Sequence, residues 1–264
     1  MPKPMGAEEP LLQPSPLGPP TDGPPGAAAA DPFIDEMFGA FQWRVCVLVG
    51  AIVYLPAGWI MLPVFVNPQL VRDEPEIFTE NRLALLGSAF FAGWAIGAPI
   101  GSTLADGLGR KRLLLSVLPL AIVAGLLPAL PEAALHWLPE QFLGHPQYYI
   151  LHLVARALLG FSIGGMSCGF VWMVEWMPSN SRSTVTVAMN CVWAGFAILI
   201  ALLAMALGDG SVPGGSGSGE ADSVIGATWP VLQFASSLPF IIVGLVMYFF
   251  VPESARWLLS VDRT

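Results

Sequence analysis

Long apolar stretches alternate with short polar segments along most of the chain. Residues 45–66 form a run of 22 without a charge, 83–105 a run of 23, and 113–130 a run of 18. Residues 148–174 form a run of 27 that contains one charge, Arg156, and residues 185–207 and 229–251 form uncharged runs of 23 each. None alternates apolar and polar positions as a half-buried strand would. A helix needs about 20 such residues to cross a bilayer, and lipid admits only structures whose backbone groups are satisfied internally. The pattern predicts an all-α, polytopic membrane protein with six transmembrane helices.

The segments between the runs carry the charge. With the N-terminus placed in the cytoplasm, one side of the membrane holds Lys3, Arg44, Arg110, Lys111, Arg112, Arg182, Arg256 and Arg263, and the other holds Arg72 and Arg82. Basic residues accumulate on the cytoplasmic side, so this division predicts a multi-pass protein with both termini cytoplasmic. The inner loops 106–112 and 175–184 then have 7 and 10 residues, and the outer loops 67–82, 131–147 and 208–228 have 16, 17 and 21. Residues 1–32 hold ten prolines and few large apolar side chains. They read as a disordered, Pro-rich cytoplasmic tail, ahead of a six-helix unit at 33–260. Within that unit, Gly214–Gly219 gives the loop 208–228 the composition of a flexible linker.

Composition narrows the class. Hydrophobic residues make up 55% of the chain and charged residues 11%, against about 25% charged in soluble domains. A net charge of −8 with 11 Lys and Arg argues against nucleic acid as a partner, since phosphates need basic patches. Cys46, Cys168 and Cys191 all sit inside apolar runs and form no disulfide framework. His136, His145 and His152 match no metal-ligand spacing. No nucleophile motif or phosphate-cradling glycine loop is present, so the reading is not an enzyme, with no cofactor and no metal.

The most specific motif is Ser102-Thr103-Leu104-Ala105-Asp106-Gly107-Leu108-Gly109-Arg110-Lys111-Arg112. An acidic residue ends one helix, glycine allows a tight turn, and a basic cluster opens the next helix. It resembles the inner-loop signature of the major facilitator superfamily, with Ser102 where that family has its first glycine and Gly107 where it usually has a basic residue. Arg156 to Gly165 resembles the fourth helix of the organic-ion and sugar porters. Glu175, Pro178 and Arg182 repeat the spacing of those porters' second inner loop. Pro252-Glu253-Ser254-Ala255-Arg256-Trp257-Leu258 is similar to the motif that follows their sixth helix. Phe38 to Trp43 resembles the synaptic-vesicle-two-related branch, which is similar to the organic cation and anion transporters. The first outer loop is shorter than theirs and lacks its cysteines and glycosylation sequons.

The resemblance implies the N-terminal half of a major facilitator fold. It implies that the chain is one half of a secondary transporter that moves a small organic solute by alternating access. Asp106, Arg110, Glu175, Arg182, Glu253 and Arg256 would form an inner salt-bridge network that stabilises the outward-open state. Expected partners are membrane lipid, the solute, and a C-terminal half or a second copy through self-association. The chain is then a fragment, a short isoform or a true half-transporter. The alternative is a non-transporting membrane protein that binds or regulates a partner, or a truncated inactive fragment.

Within the runs, Arg156 is an intramembrane charge without an acidic partner, which points to a cavity or an interhelix contact. Tyr54, Trp59, Trp94, Trp172, Asn190, Trp193 and Gln233 could line a solute path. The candidate cavity set is Trp59, Trp94, Arg156, Asn190 and Trp193, because aromatic residues at span ends serve more often as interfacial anchors. Gly93, Gly97 and Gly101 share one helix face, and so do Gly160 and Gly164, which predicts close helix packing. Pro56, Pro63, Pro119 and Pro128 are candidate kink sites.

Overall fold

The computed structural model describes residues 39–130, 146–178, 181–207, 228–254 and 257. All regular elements among them are helical. They are α1 (Ala40–Tyr54), α2 (Pro56–Asp73), α3 (Glu80–Leu108), α4 (Arg110–Leu126), α5 (Pro146–Met166), α6 (Cys168–Glu175), α7 (Arg182–Leu207) and α8 (Thr228–Phe250), with a short 3-10 turn at Leu127–Ala129. By length and apolarity they make six candidate membrane spans. The first span is α1 with α2 and the fourth is α5 with α6; the remaining helices are one span each. The tail expected at 1–32 and nearly all of the loop expected at 208–228 lie outside the described residues.

Two boundaries differ from the expectation. The first span continues through Asp73, so the segment expected as a 16-residue loop at 67–82 is largely helical. Polar Asn67 and Gln69 and the basic Arg72 ended the apolar run, but Leu70 is buried in the core and holds the extra turns in place. The connection after them is tight: Arg82 Nη1 donates to the Ile77 carbonyl at 2.8 Å, beside the fully buried Phe78. At the other end of the bundle the inner loop expected at 106–112 reduces to one joint. Gly109 sits between α3 and α4 with φ of 95°, a conformation that side chains with a Cβ rarely adopt.

The first and fourth spans each carry a one-residue joint, at Leu55 and Ser167, where the backbone stays in the right-handed helical region. Pro56 has no N–H to donate and favours the first turn of a helix, so α1 stops at Tyr54 and α2 restarts around Leu55. There Leu55 N–H bonds Ala51 O at 2.7 Å and Gly58 N–H bonds Leu55 O at 3.0 Å. The fourth span has its joint at Ser167 without a proline, just after the weak helix formers Gly164 and Gly165. Pro63, Pro68, Pro99 and Pro119 remain inside continuous helices, while Pro128 lies in the 3-10 turn.

The most extensive contact joins the second span to the fourth. It is made by the two glycine stripes that the sequence displays. A Cβ at Gly101 would stand 2.5 Å from Gly165 Cα, and one at Gly164 would stand 2.5 Å from the Trp94 carbonyl oxygen. At Gly93, Gly97 and Gly160 it would meet the Ala157, Phe161 and Phe90 carbonyl oxygens even more closely. Backbone therefore packs directly on backbone, the arrangement small residues allow when lipid removes the hydrophobic drive between helices. The first span fills the centre of the bundle. Trp59 is fully buried and stacks on Phe240 of α8 with ring centroids 3.8 Å apart, and Gln233 Nε2 donates to the Gly125 carbonyl, tying α8 to α4.

Candidate functional site

Polar groups gather at the end of the bundle marked by Gly109. The sharp joint there brings the start of α4 beside the end of α6 and the segment after α8. Arg110 forms an ion pair with Glu175. Ser254 Oγ donates to Glu175 Oε2 at 2.6 Å. Glu253 Oε1 accepts from the backbone N–H of Lys111 at 2.8 Å and of Ser254 at 3.1 Å. Glu253 thus occupies the N-terminus of α4, where free N–H groups and the helix dipole favour a negative charge. Lys111 Nζ donates to the Tyr248 carbonyl at 3.0 Å, and the Arg112 guanidinium lies 5.6 Å from the Trp257 ring centroid. Together these contacts join the third, fourth and sixth spans.

Five of the six residues expected in this network lie among the described residues. Arg110, Glu175 and Glu253 belong to one connected cluster. Arg182 Nε donates to the Met177 carbonyl at 3.0 Å and so closes the turn between α6 and α7. Asp106 departs from the expectation: it is exposed and makes no hydrogen bond or ion pair with another described residue. The Gly109 joint faces Arg110 toward Glu175 and leaves Asp106 on the exposed side of α3. Arg256 lies outside the described residues. Ser254 is the member that sequence reading missed. It is fully buried and links the carboxylates of Glu175 and Glu253; its only signal was its place beside Glu253.

Two cavities open along the first span. The larger, of about 500 Å³, lies between the first, second, fourth and fifth spans, with Tyr54, Trp94, Ser167, Thr186, Asn190 and Trp193 among its lining. Both joints border it, through Tyr54 at the end of α1 and Ser167 between α5 and α6. Tyr54 and Trp193 meet edge to face at 6.3 Å. Asn190 Nδ2 donates to Thr186 O at 2.9 Å, which leaves the amide oxygen on an exposed surface. The smaller cavity, of about 160 Å³, is lined by Trp59, Asn67, Phe90, Phe91 and Arg156 with neighbouring apolar atoms.

The expected cavity residues therefore divide. Trp94, Asn190 and Trp193 border the larger space, and Trp59 and Arg156 border the smaller. Trp172 and Gln233 are buried in helix packing and line neither. Ser167, Thr186 and Asn67 escaped sequence reading because small polar residues are common in membrane helices and no charge or aromatic ring marks them. The glycine pair before Ser167 was the available signal for the joint there.

Comparison with known proteins follows from this geometry. The chain is 28% identical over 180 residues to solute carrier family 22 member 7 of Rattus norvegicus, a stretch covering 68% of this chain and 27% of that protein. It is 27% identical over 223 residues to the synaptic vesicle 2-related protein of the same species, covering 83% of this chain and 34% of that protein. The chain thus spans well under half the length of these curated relatives. Among solved structures, the major facilitator proton:xylose symporter XylE bound to 6-bromo-6-deoxy-D-glucose superposes with a TM-score of 0.69 at 18% identity, covering 85% of this chain and 47% of that one. An inward-open XylE structure from E. coli gives 0.66 over 84% of this chain and 50% of that one. The fold is that of a six-helix half of the major facilitator superfamily. A family model described as sugar (and other) transporter matches residues 37–264, and the chain belongs to that family.

Proposed function

We propose that these six spans form the N-terminal half of a secondary transporter for a small organic solute, working by alternating access with both termini in the cytoplasm. The observation that carries this reading is the cavity of about 500 Å³ between the first, second, fourth and fifth spans, beside the joints at Leu55 and Ser167. Polar side chains are tolerated at membrane depth where they line a cavity, and the substrate sites of secondary transporters lie between spans inside the bundle. Tyr54, Trp94 and Trp193 offer ring faces there, and Ser167, Thr186 and Asn190 offer hydroxyl and amide groups. A few polar groups in an aromatic wall suit recognition of a small organic molecule.

The cluster of Arg110, Glu175, Ser254 and Glu253 acts as the latch. It closes the cytoplasmic end while the solute enters from outside, and it separates when the halves rock. A C-terminal half supplies the opposite wall of the path. The eight-to-two distribution of basic residues supports this orientation.

Uptake into proteoliposomes tests the reading. The chain is reconstituted with a C-terminal six-span half, and a panel of labelled organic solutes is offered. Saturable uptake that falls about tenfold or more in Trp94→Ala or Trp193→Ala, as expected for loss of an aromatic contact in a binding pocket, supports it. Uptake unchanged in both variants would refute it.

A further inference from the structure

We propose that His152 is a proton-sensitive clasp at the end of the bundle opposite Gly109. Protonation expels its ring from an aromatic cage and so frees the turn before α3 and the start of α8 from α5. His152 is 3% exposed. It lies six residues into α5 from Pro146, about 9 Å along the helix at 1.5 Å per residue, and it lines neither cavity. Rings from three elements enclose it. Phe78 of the turn between α2 and α3 stands 5.1 Å from it between centroids, Tyr148 of α5 4.5 Å, and Trp229 of α8 6.1 Å. All three are buried.

The hydrogen bonds of the cage suit a neutral ring. His152 Nδ1 meets the Tyr148 carbonyl at 3.1 Å. A carbonyl can only accept, so Nδ1 carries the hydrogen and Nε2 keeps a lone pair. Nε2 is buried with no hydrogen-bond partner among the described residues, and so is the Trp229 indole N–H. A proton taken from water at Nε2 would put a second unpaired donor into this cage, and a charge into an apolar enclosure. Cation–π contact with the rings offsets part of that cost, but the buried Arg156 is a like charge one turn along the same helix face. The other charged groups on the elements packed around the ring lie near the cage rim. The turn holds Glu74 and Glu76, and α3 opens with Glu80 and Arg82, whose Nη1 donates to the Ile77 carbonyl at 2.8 Å. Beyond Arg112, α4 carries no charged side chain, and neither does the start of α8 or the 3-10 turn that packs against α5 and α8.

At pH 5 a solvated imidazole is protonated over neutral by roughly thirtyfold, from an ordinary value near 6.5. A state that places the ring in water gains this proton and the caged state does not, so acid shifts the equilibrium toward the open end by up to that factor. Under the transport reading this is the outer end, and an acid compartment would hold it open to solute. The clasp itself does not depend on that reading, and its test uses neither solute nor a C-terminal half.

The full chain carrying Cys191→Ser is placed in lipid nanodiscs. Ala129→Cys, at a buried position in the 3-10 turn, reports opening. Glu76→Cys, at an exposed position, reports thiol reactivity alone. The maleimide labelling rate of the first, less that of the parent chain, is divided by the rate of the second at the same pH, which cancels the thiolate dependence. The ratio is expected to rise at least about tenfold from pH 7.5 to pH 5. His152→Phe keeps a ring that does not titrate, and His152→Gln keeps a neutral hydrogen-bonding group. Both should hold the ratio flat, and either one that folds serves for the comparison. A flat ratio in the parent chain would overturn the proposal. An equal rise in a histidine variant would do so too, and would assign the effect to the carboxylates at the rim.

Discussion

Ser254 is the residue on which the polar cluster turns. Its hydroxyl donates to Glu175 while its own N–H bonds Glu253, and it is fully buried. A hydrogen bond to a charged acceptor contributes about 1.5–3 kcal/mol. Ser254→Ala should therefore lower the melting temperature in detergent by several degrees, while Ser254→Thr, which keeps the hydroxyl, should lose less. Equal loss in both would assign the effect to packing alone. Glu175→Gln should cost more than Ser254→Ala, because removing one member of a largely buried ion pair strands the other, at about 3–5 kcal/mol. Thermal unfolding of the two variants side by side checks the order. The sequence displayed the charges of this cluster through their motif but not their partners. Asp106 and Arg110 are four residues apart in one motif, yet the turn at Gly109 gives them different surroundings. Such a turn is set by one backbone dihedral, and no spacing of residue types encodes where the neighbouring carboxylate lands.

At the level of the helices, apolar run length was enough to locate every span, because the bilayer fixes how long a helix must be. Glycine spacing was enough to identify the closest contact, since a stripe without side chains has one obvious use. The joint at Ser167 was harder to read, because glycines that weaken a helix also favour its packing. The glycine contact yields a clear contrast. Gly97→Ala and Gly160→Ala place a Cβ against carbonyl oxygens of the facing helix, and overpacking of this kind costs at least about 1–3 kcal/mol. Both should reduce the folded yield in membranes severalfold. Gly87→Ala, on the same helix as Gly97 but with open space at its Cβ, should express normally. Detergent-extracted yield by fluorescence-detected size exclusion separates the two classes, and normal yield in all three would refute the packing account.

For the molecule as a whole, two predictions follow from what faces outward. Glu76 lies in the turn between α2 and α3, and Gly107 lies beside the joint after α3; both are exposed. With cytoplasmic termini, a cysteine at Glu76 should react with an impermeant maleimide on intact cells, and one at Gly107 only after permeabilisation. The opposite pattern would invert the topology. The second prediction concerns assembly. Asn190 is exposed on α7 with its amide oxygen unpaired in the local turn, and a cavity wall left without an opposite half would open such a polar group to hydrocarbon at a cost of several kcal/mol. The expressed chain should therefore associate in the membrane, with itself or with a C-terminal half. Native mass spectrometry from nanodiscs at low protein-to-lipid ratio reads this directly, and a persistent monomer would contradict it.

The contact between the second and fourth spans also has a genetic consequence. Every amino acid other than glycine carries a Cβ, so no missense change at Gly93, Gly97, Gly101, Gly160 or Gly164 leaves the two backbones as close as they stand. Codon by codon, these positions should behave as though only silent changes were permitted. A saturation-mutagenesis map of surface abundance would show them as columns with no tolerated allele. The exposed positions between them, such as Ile96 and Ile100, should accept almost any apolar replacement.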